Sequence, residues 1–163
     1  MANTYTQCYI HLVFAVKYRE AFIRRQWKDE LEKYITGIVQ NYKHKLIAVS
    51  CMPDHVHIFI GYYPNQLIPD LVEKIKTSTD EWIQDRKFTK HVFHWQKGYG
   101  AFTHSRSNLS RVATYIENQE KHHLNKTFRD EYLDILEKNG VEYDRKYLFE
   151  FFNLNDADLS GCG

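Results

Sequence analysis

Two histidines separated by one residue are the first candidates for chemistry. His55 and His57 lie in the segment HVHIFIGY, whose pattern predicts a β-strand. Side chains two residues apart on a strand share a face, so both imidazoles point the same way and can converge on one divalent ion. Two half-exposed polar residues on an ordinary strand give the same pattern, so the pair alone does not assign a metal site.

A tyrosine and a glutamine one helical turn apart form the second candidate group. Tyr115 and Gln119 follow Arg111 at four-residue steps in a predicted helix over residues 107–123, so the two side chains project together from its polar face. A phenol can act as a nucleophile, and an amide oxygen can bind a metal ion. A surface hydrogen-bonding pair, or a tyrosine packed under a neighbouring element, explains the same spacing.

These four residues lie within an ordered pattern of strands and helices. Apolar patterning predicts strands at 4–18, 45–52, 55–62 and 100–105, and helices at 22–42, 67–86, 107–123 and 127–139. The first six elements follow the order βαββαβ, which is that of a ferredoxin-like or RRM-like antiparallel sheet. We therefore predict an α+β protein with further C-terminal helices, one of which carries Tyr115. The histidine pair is expected on the sheet face that the first two helices leave open.

The 163 residues of the chain predict a single domain at 1–149, followed by a poorly ordered tail at 150–163.

Charge is distributed unevenly between two parts of the chain. The net charge is +1, which argues against a strongly basic nucleic-acid binder. However, residues 1–123 carry +5 and residues 124–163 carry −4. We expect this acidic stretch to pack around a dimer rather than to contact phosphate.

Cysteine usage and hydropathy indicate the compartment. Cys8, Cys51 and Cys162 form no CxxC pair, which is typical of a reducing environment. The first residues lack the basic and then apolar plan of a signal peptide, and charges interrupt every apolar run before it could span a membrane. We expect a cytoplasmic protein that does not contact a membrane.

The motifs taken together resemble those of one known family. HLVFAVKYRE, MPDHVHIFIG, WQKGYGAFTHS, VATYIENQEKHH and EYDRKYLF occur in this order, and they resemble the single-tyrosine HUH transposases of small bacterial insertion sequences and the repeat-associated tyrosine transposases. The resemblance covers about residues 5–149. It implies that His55 and His57 bind a metal ion, Mg²⁺ or Mn²⁺, that Gln119 is the third ligand, and that Tyr115 is the nucleophile.

The resemblance also implies an activity and partners. Members cut and rejoin single-stranded DNA at hairpin-bearing element ends, through a 5′-phosphotyrosine intermediate. They act as homodimers, in which the tyrosine helix of one subunit can complete the histidine pair of the other. Whether Tyr115 acts in cis or in trans, and what activates it, is left open by the sequence.

Other residues are weaker candidates. His11 shares a strand face with Tyr9 and is predicted to lie beside the third strand, where it is a possible neighbour of His57. Five further histidines are expected to be structural or solvent-facing, because their spacing favours no second metal site: His91, His94, His104, His122 and His123. A helix in particular cannot direct both His122 and His123 at one partner. Five cations are candidate DNA contacts through phosphate: Lys17, Arg19, Arg24, Lys74 and Lys76.

Competing classes are distinguished by single features. A histidine-triad hydrolase needs a third alternating histidine, and position 59 is Phe59, which excludes that class. Two alternatives stay open: a noncatalytic RRM-like module that binds single-stranded nucleic acid, and an HUH nickase of the replication-initiator type, which is normally part of a larger protein.

Overall fold

An antiparallel sheet of four strands forms the centre of the molecule. The computed structural model describes residues 3–155 and 158–159. The strands pair in the order β2-β3-β1-β4, every pair antiparallel, and are β1 (Cys8–Ala15), β2 (Lys45–Cys51), β3 (His55–Tyr62) and β4 (Gly100–His104). The predicted α+β architecture with a βαββαβ order is confirmed.

Five α-helices complete the described part of the chain. Helices α1 and α2 occupy the two crossover positions of the βαββαβ unit, and three shorter helices follow β4. Their bounds are α1 (Arg25–Asn41), α2 (Ile68–Arg86), α3 (Leu109–Glu117), α4 (Gln119–His122) and α5 (Phe128–Lys138). No helix among the described residues is long and apolar enough to cross a membrane.

The two faces of the sheet carry different side chains. Leu12, Val56 and Ile58 point to the face of α1 and α2, where they join the main apolar core. The opposite face bears the histidines, together with Phe59, which packs in a small second core with Val112 and Ile116 of α3. That core fastens α3 to the sheet. The histidines therefore lie, as expected, on the face that α1 and α2 leave open, and α3, α4 and α5 cover that face.

Two predicted elements differ from those in the structure. The first strand spans Cys8–Ala15 rather than 4–18, and Val16 keeps only a single bridge to Trp95. The single helix predicted over 107–123 is wrong, because Asn118 takes φ −97° and ψ 21° and separates α3 from α4. Asparagine is prone to leave a helix because its side chain competes for backbone hydrogen bonds. Tyr115 and Gln119 therefore belong to two short helices.

Helix α5 approaches the sheet closely near β4. A Cβ atom at Gly100 would lie 2.8 Å from the hydroxyl of Tyr132 and 2.7 Å from the ring of Phe102, so the absence of a side chain permits the contact. On the same helix, the ring of Phe128 stacks on that of His55 with centroids 3.8 Å apart. These contacts hold α5 across the histidine face.

The described residues of the C-terminal segment contact the body of the protein. Phe151, Phe152 and Leu154 pack against the main core, and Asp158 forms an ion pair with Arg19 at 2.9 Å. The domain boundary at residue 149 and poor order in 150–163 stay predictions. Residues 156–157 and 160–163, which include Cys162, lie outside the described residues.

Candidate active site

The two histidines of β3 are fully buried, and each is oriented by a neighbour. Nδ1 of His55 lies 2.7 Å from Oδ1 of Asp54, and Nδ1 of His57 lies 2.7 Å from Nε2 of His11. Both Nε2 atoms are thereby turned toward the same space. Partners of this kind fix the ring orientation of metal-binding histidines. His11 thus lies where the sequence suggested, beside His57 on the neighbouring strand.

A carboxylate from α5 fills the space that the imidazoles face. Oε1 of Glu131 lies 3.0 Å from Nε2 of His57 and 3.5 Å from Nε2 of His55. Its Oε2 accepts a hydrogen bond from Nε2 of Gln119 at 2.8 Å and another from the hydroxyl of Tyr115. Glu131 is 1% exposed, so these contacts replace its hydration. The carboxylate connects the strand histidines with the tyrosine.

The end of α4 supplies a third imidazole. Nε2 of His123 lies 2.8 Å from Oε1 of Gln119 and 3.3 Å from Oε1 of Glu131, while its Nδ1 is 2.7 Å from the carbonyl of Lys126. Nε2 of His122 approaches the other carboxylate oxygen at 3.2 Å. The expectation that these two histidines cannot face one partner is wrong, because α4 ends at His122 and His123 leaves the helix.

Burial and the local charges shift the ionisation of the site. For His55, burial disfavours the imidazolium, but the carboxylates of Asp54 and Glu131 together outweigh burial and raise the pKa to about 9. Burial lowers the pKa of His57, and burial together with the nearby His57 lowers that of His11. The neighbouring carboxylates thus shift the pKa of His55 in the direction opposite to those of the two adjacent imidazoles.

The pKa values of Tyr115 and Glu131 are shifted in opposite directions. Burial, and then the adjacent Glu131 carboxylate, raises the pKa of Tyr115 above its ordinary value. Burial alone would favour protonated Glu131, but His57 and the hydrogen bonds from His123 and His55 hold its pKa far below the ordinary range. The site therefore holds an ionised carboxylate against a protonated phenol.

Four of these side chains form a group that could hold a divalent metal ion. One ligand atom from each of His55, His57, His123 and Glu131 lies within 4.8 Å of the others, and all four residues are buried. The Oε1 atom of Gln119 is 3.3 Å from Nε2 of His55, at the edge of the group. Two histidines and the glutamine were predicted from the sequence; His123 and Glu131 were not.

A cleft of about 520 Å³ opens on the tyrosine. The end of β4, α3 and α5 line it, and Tyr115 and Glu131 are among the lining residues. The lining also carries the cations Arg111, Lys126 and Lys138, of which Lys126 pairs with the lining carboxylate of Asp134. Cationic and hydrogen-bonding groups of this kind can contact phosphate.

The five cations predicted to contact DNA do not line this cleft. Arg19 and Arg24 both pair with Asp158, at 2.9 Å and 3.6 Å. Lys74 is exposed on α2, and Lys17 is exposed beside the ring of Tyr18. These positions do not establish a role in DNA binding.

Lys76 instead makes structural hydrogen bonds to the backbone. Its Nζ donates to the carbonyls of Gln96 and Gly98 at 2.8 and 2.7 Å, and burial lowers its pKa to about 8. It holds the segment that leads into β4.

A family comparison identifies the chain. The family described as transposase, IS200-like, matches residues 4–119, which is more than half of the sequence. The chain belongs to the IS200-like transposase family. The family is that of the single-tyrosine HUH transposases, as the sequence motifs indicated, and membership assigns the chain a transposase function.

Individual relatives agree with this membership. The ISDra2 transposase TnpA of Deinococcus radiodurans is 27% identical over 116 residues, which cover 67% of this chain and 81% of that protein. The transposase for the insertion sequence element IS200 of Salmonella typhimurium is 24% identical over 124 residues, covering 73% of this chain and 81% of that protein.

Two solved structures share the fold. A crystal structure from Deinococcus radiodurans, described as that of a transposase, has a TM-score of 0.58 and 27% identity, covering 73% of this chain and 95% of that chain. A REP-associated tyrosine transposase bound to a REP hairpin has a TM-score of 0.56 and 12% identity, covering 94% and 93%. At that identity, the second likeness shows the fold alone.

Proposed function

We propose that this transposase cuts and rejoins single-stranded DNA at hairpin-bearing element ends, with Tyr115 as the nucleophile. The observation that carries the proposal is the position of Tyr115, whose hydroxyl bonds to Glu131 while its ring centroid lies 6.0 Å from that of His57. A phenol that lines a cleft with cationic groups can reach a phosphate, and the adjacent imidazoles can hold a metal ion.

The donor set fits a divalent cation. On His55, His57 and His123, the Nδ1 side is occupied by Asp54, His11 or a backbone carbonyl, so the Nε2 atoms are the ones left for a metal ion. We propose that His55, His57 and Gln119 bind Mg²⁺ or Mn²⁺, with His123 within reach. When bound, such an ion polarises the scissile phosphate and offsets its developing charge.

The covalent step is balanced without a co-reactant. The Tyr115 oxygen forms a bond to phosphorus, and the bond between phosphorus and the 3′ oxygen breaks. The phenol gives up its proton, and the departing 3′ oxygen gains one, so one phosphodiester replaces another. The 5′-phosphotyrosine retains the bond energy, and a second 3′-OH can reverse the exchange to rejoin a strand.

Contacts within one chain support action of Tyr115 in cis. His57, Gln119 and Tyr115 all contact Glu131 of the same chain. We therefore propose that Tyr115 acts in cis. A homodimer stays a prediction of the family resemblance, and this arrangement is compatible with it.

A covalent adduct assay tests the proposal. The DNA is a single strand that contains the hairpin flanking the gene, labelled at either the 3′ or the 5′ end and incubated with protein and Mn²⁺ or Mg²⁺. We expect the 3′ label to move with the protein on a denaturing gel and the 5′ label to appear on a shortened free strand. Tyr115→Phe should abolish the adduct, and His57→Ala should reduce it strongly.

The matched control is Tyr5→Phe, since Tyr5 is 95% exposed and the change removes the same hydroxyl. It should form the adduct as the unaltered protein does. An adduct that persists in Tyr115→Phe would contradict the assignment. Binding of the hairpin strand without any adduct in the unaltered protein would instead indicate a noncatalytic nucleic-acid-binding module.

A further inference from the structure

The two oxygens of the Glu131 carboxylate face different partners. Oε1 lies 3.0, 3.3 and 3.5 Å from the Nε2 atoms of His57, His123 and His55. Oε2 accepts hydrogen bonds from the Tyr115 hydroxyl and from Gln119. One oxygen thus contacts the imidazoles, and the other contacts the hydroxyl of Tyr115.

Helix α5 holds this carboxylate in place. Phe128, one turn before Glu131, stacks on His55, and Tyr132, the next residue, lies against Gly100. Both neighbours are buried, at 5% exposure each. Because the helix is fixed on both sides of Glu131, its carboxylate cannot leave the site by a small movement of an exposed loop.

We propose that Glu131 couples the metal site to the nucleophile: Oε1 is a metal ligand alongside His55 and His57, and Oε2 positions the hydroxyl of Tyr115. The inference rests on the proposed function for the role of Tyr115. It adds to the site residues implied by the family resemblance, which are His55, His57, Gln119 and Tyr115, and Glu131 also lies beyond residues 4–119, which the family model matches.

The chemistry of the side chain favours a double role. A carboxylate has two acceptor oxygens, each with two lone pairs, so it can contact a cation and a hydroxyl at the same time. An amide places an oxygen at one of these two positions and an N–H donor at the other, so it cannot make both contacts. A buried carboxylate could balance the charge of the imidazoles without accepting a hydrogen bond from Tyr115. Replacement of such a carboxylate would leave the orientation of the phenol unchanged.

Metal binding by the DNA-free protein tests whether Oε1 of Glu131 is a metal ligand. Mn²⁺ is titrated into the DNA-free protein and followed by calorimetry and by the electron paramagnetic resonance signal of free Mn²⁺. We expect Glu131→Gln to weaken binding by about tenfold or more, as loss of groups around metal sites commonly does. Glu137→Gln, an exposed carboxylate on the same helix, should stay within about twofold. Tyr115→Phe should keep its affinity, because the phenol is not a ligand.

Single-turnover adduct formation tests whether Oε2 of Glu131 positions the hydroxyl of Tyr115. At Mn²⁺ concentrations that saturate each variant, Glu131→Gln should still form the adduct about tenfold or more slowly, because Tyr115 has lost its acceptor. The proposal is overturned if Glu131→Gln keeps both its Mn²⁺ affinity and its saturated rate, because one amide oxygen cannot make both contacts.

A structure of the unaltered protein covers the case in which Glu131→Gln fails to fold. In crystals with Mn²⁺, the anomalous peak should lie within coordinating distance of one Glu131 oxygen, with the other bonded to Tyr115. A carboxylate turned away from the ion overturns the inference. If the unaltered protein forms no adduct, the proposed function fails, but the Mn²⁺ titration and this structure still decide the role of Glu131.

Discussion

The rings of His11 and His57 are joined by a hydrogen bond of 2.7 Å between Nε2 of the first and Nδ1 of the second. The two rings are stacked, with centroids 5.0 Å apart, and both are buried. His11 therefore orients His57 from β1, the neighbouring strand. Through this contact β1, in addition to β3, takes part in positioning the candidate metal site.

Removal of His11 is expected to weaken metal binding. In His11→Ala, the His57 ring loses the Nδ1 partner that His11 provides and can rotate, so Mn²⁺ affinity should fall by about 10- to 100-fold. Calorimetric titration of the DNA-free protein measures it. His91→Ala removes an exposed imidazole and should bind Mn²⁺ like the unaltered protein. An unchanged affinity in folded His11→Ala would contradict the orienting role.

A mixture of two inactive variants distinguishes cis from trans action. Tyr115→Phe keeps the histidines, and His57→Ala keeps the tyrosine. Since Tyr115 and His57 of one chain both contact Glu131, an equimolar mixture should form no more adduct than the two proteins do separately. The readout is the 3′-labelled adduct after prolonged preincubation to permit exchange of subunits. A recovered adduct would mean that two chains share a site.

Glu32 should make the stability of the protein depend on pH. Burial, reinforced by Asp29 and Glu120, raises its pKa to about 7, whereas an unfolded glutamate titrates near 4.3. The folded state therefore holds this proton more tightly, and stability should fall as pH rises from about 4.3 to 7.

The variant Glu32→Gln lacks this titration. It should be as stable as the unaltered protein near pH 4 and more stable at pH 8, by about 1 kcal/mol after allowance for the solvent screening of a half-buried group. Urea denaturation at the two pH values measures the difference. Glu73→Gln, at an exposed position on α2, should show no such gain; an equal gain there would refute the role of burial.

Lys76 and Lys74 lie on the same helix and should behave differently. Lys76→Met removes two hydrogen bonds to backbone carbonyls and should lower the free energy of unfolding by about 1–2 kcal/mol. Lys74→Met, at an exposed position, should leave stability unchanged and should weaken DNA binding if its predicted phosphate contact exists. Denaturation and a binding titration with the hairpin strand measure both. Equal stability of the two variants would contradict the structural use of Lys76.

Local patterns predicted most of the fold and singled out several residues that the structure brings together in the candidate site. The predicted strand at 55–62 matches β3, because alternation along a strand is fixed by the backbone alone. Tyr115 and Gln119 meet at one carboxylate oxygen because four-residue spacing brings side chains together even across the break at Asn118. These relations involve neighbours in sequence, so they can be predicted without knowing how distant elements pack.

The rest of the site depends on packing between distant elements. Glu131 comes from the first turns of an amphipathic helix, where a carboxylate usually faces water, and only the docking of α5 across the sheet turns it inward. The same limit applies to the predicted DNA contacts: nothing near Arg19 in sequence indicates that Asp158 would neutralise it.

Cis action by Tyr115, as proposed above, has a consequence for mixtures of intact and mutated chains. If each chain carries its own histidines and its own tyrosine, a chain that has lost Tyr115 gains no activity from an intact chain. The intact chain in turn keeps its own site, so an inactivating mutation would affect only the chain that carries it.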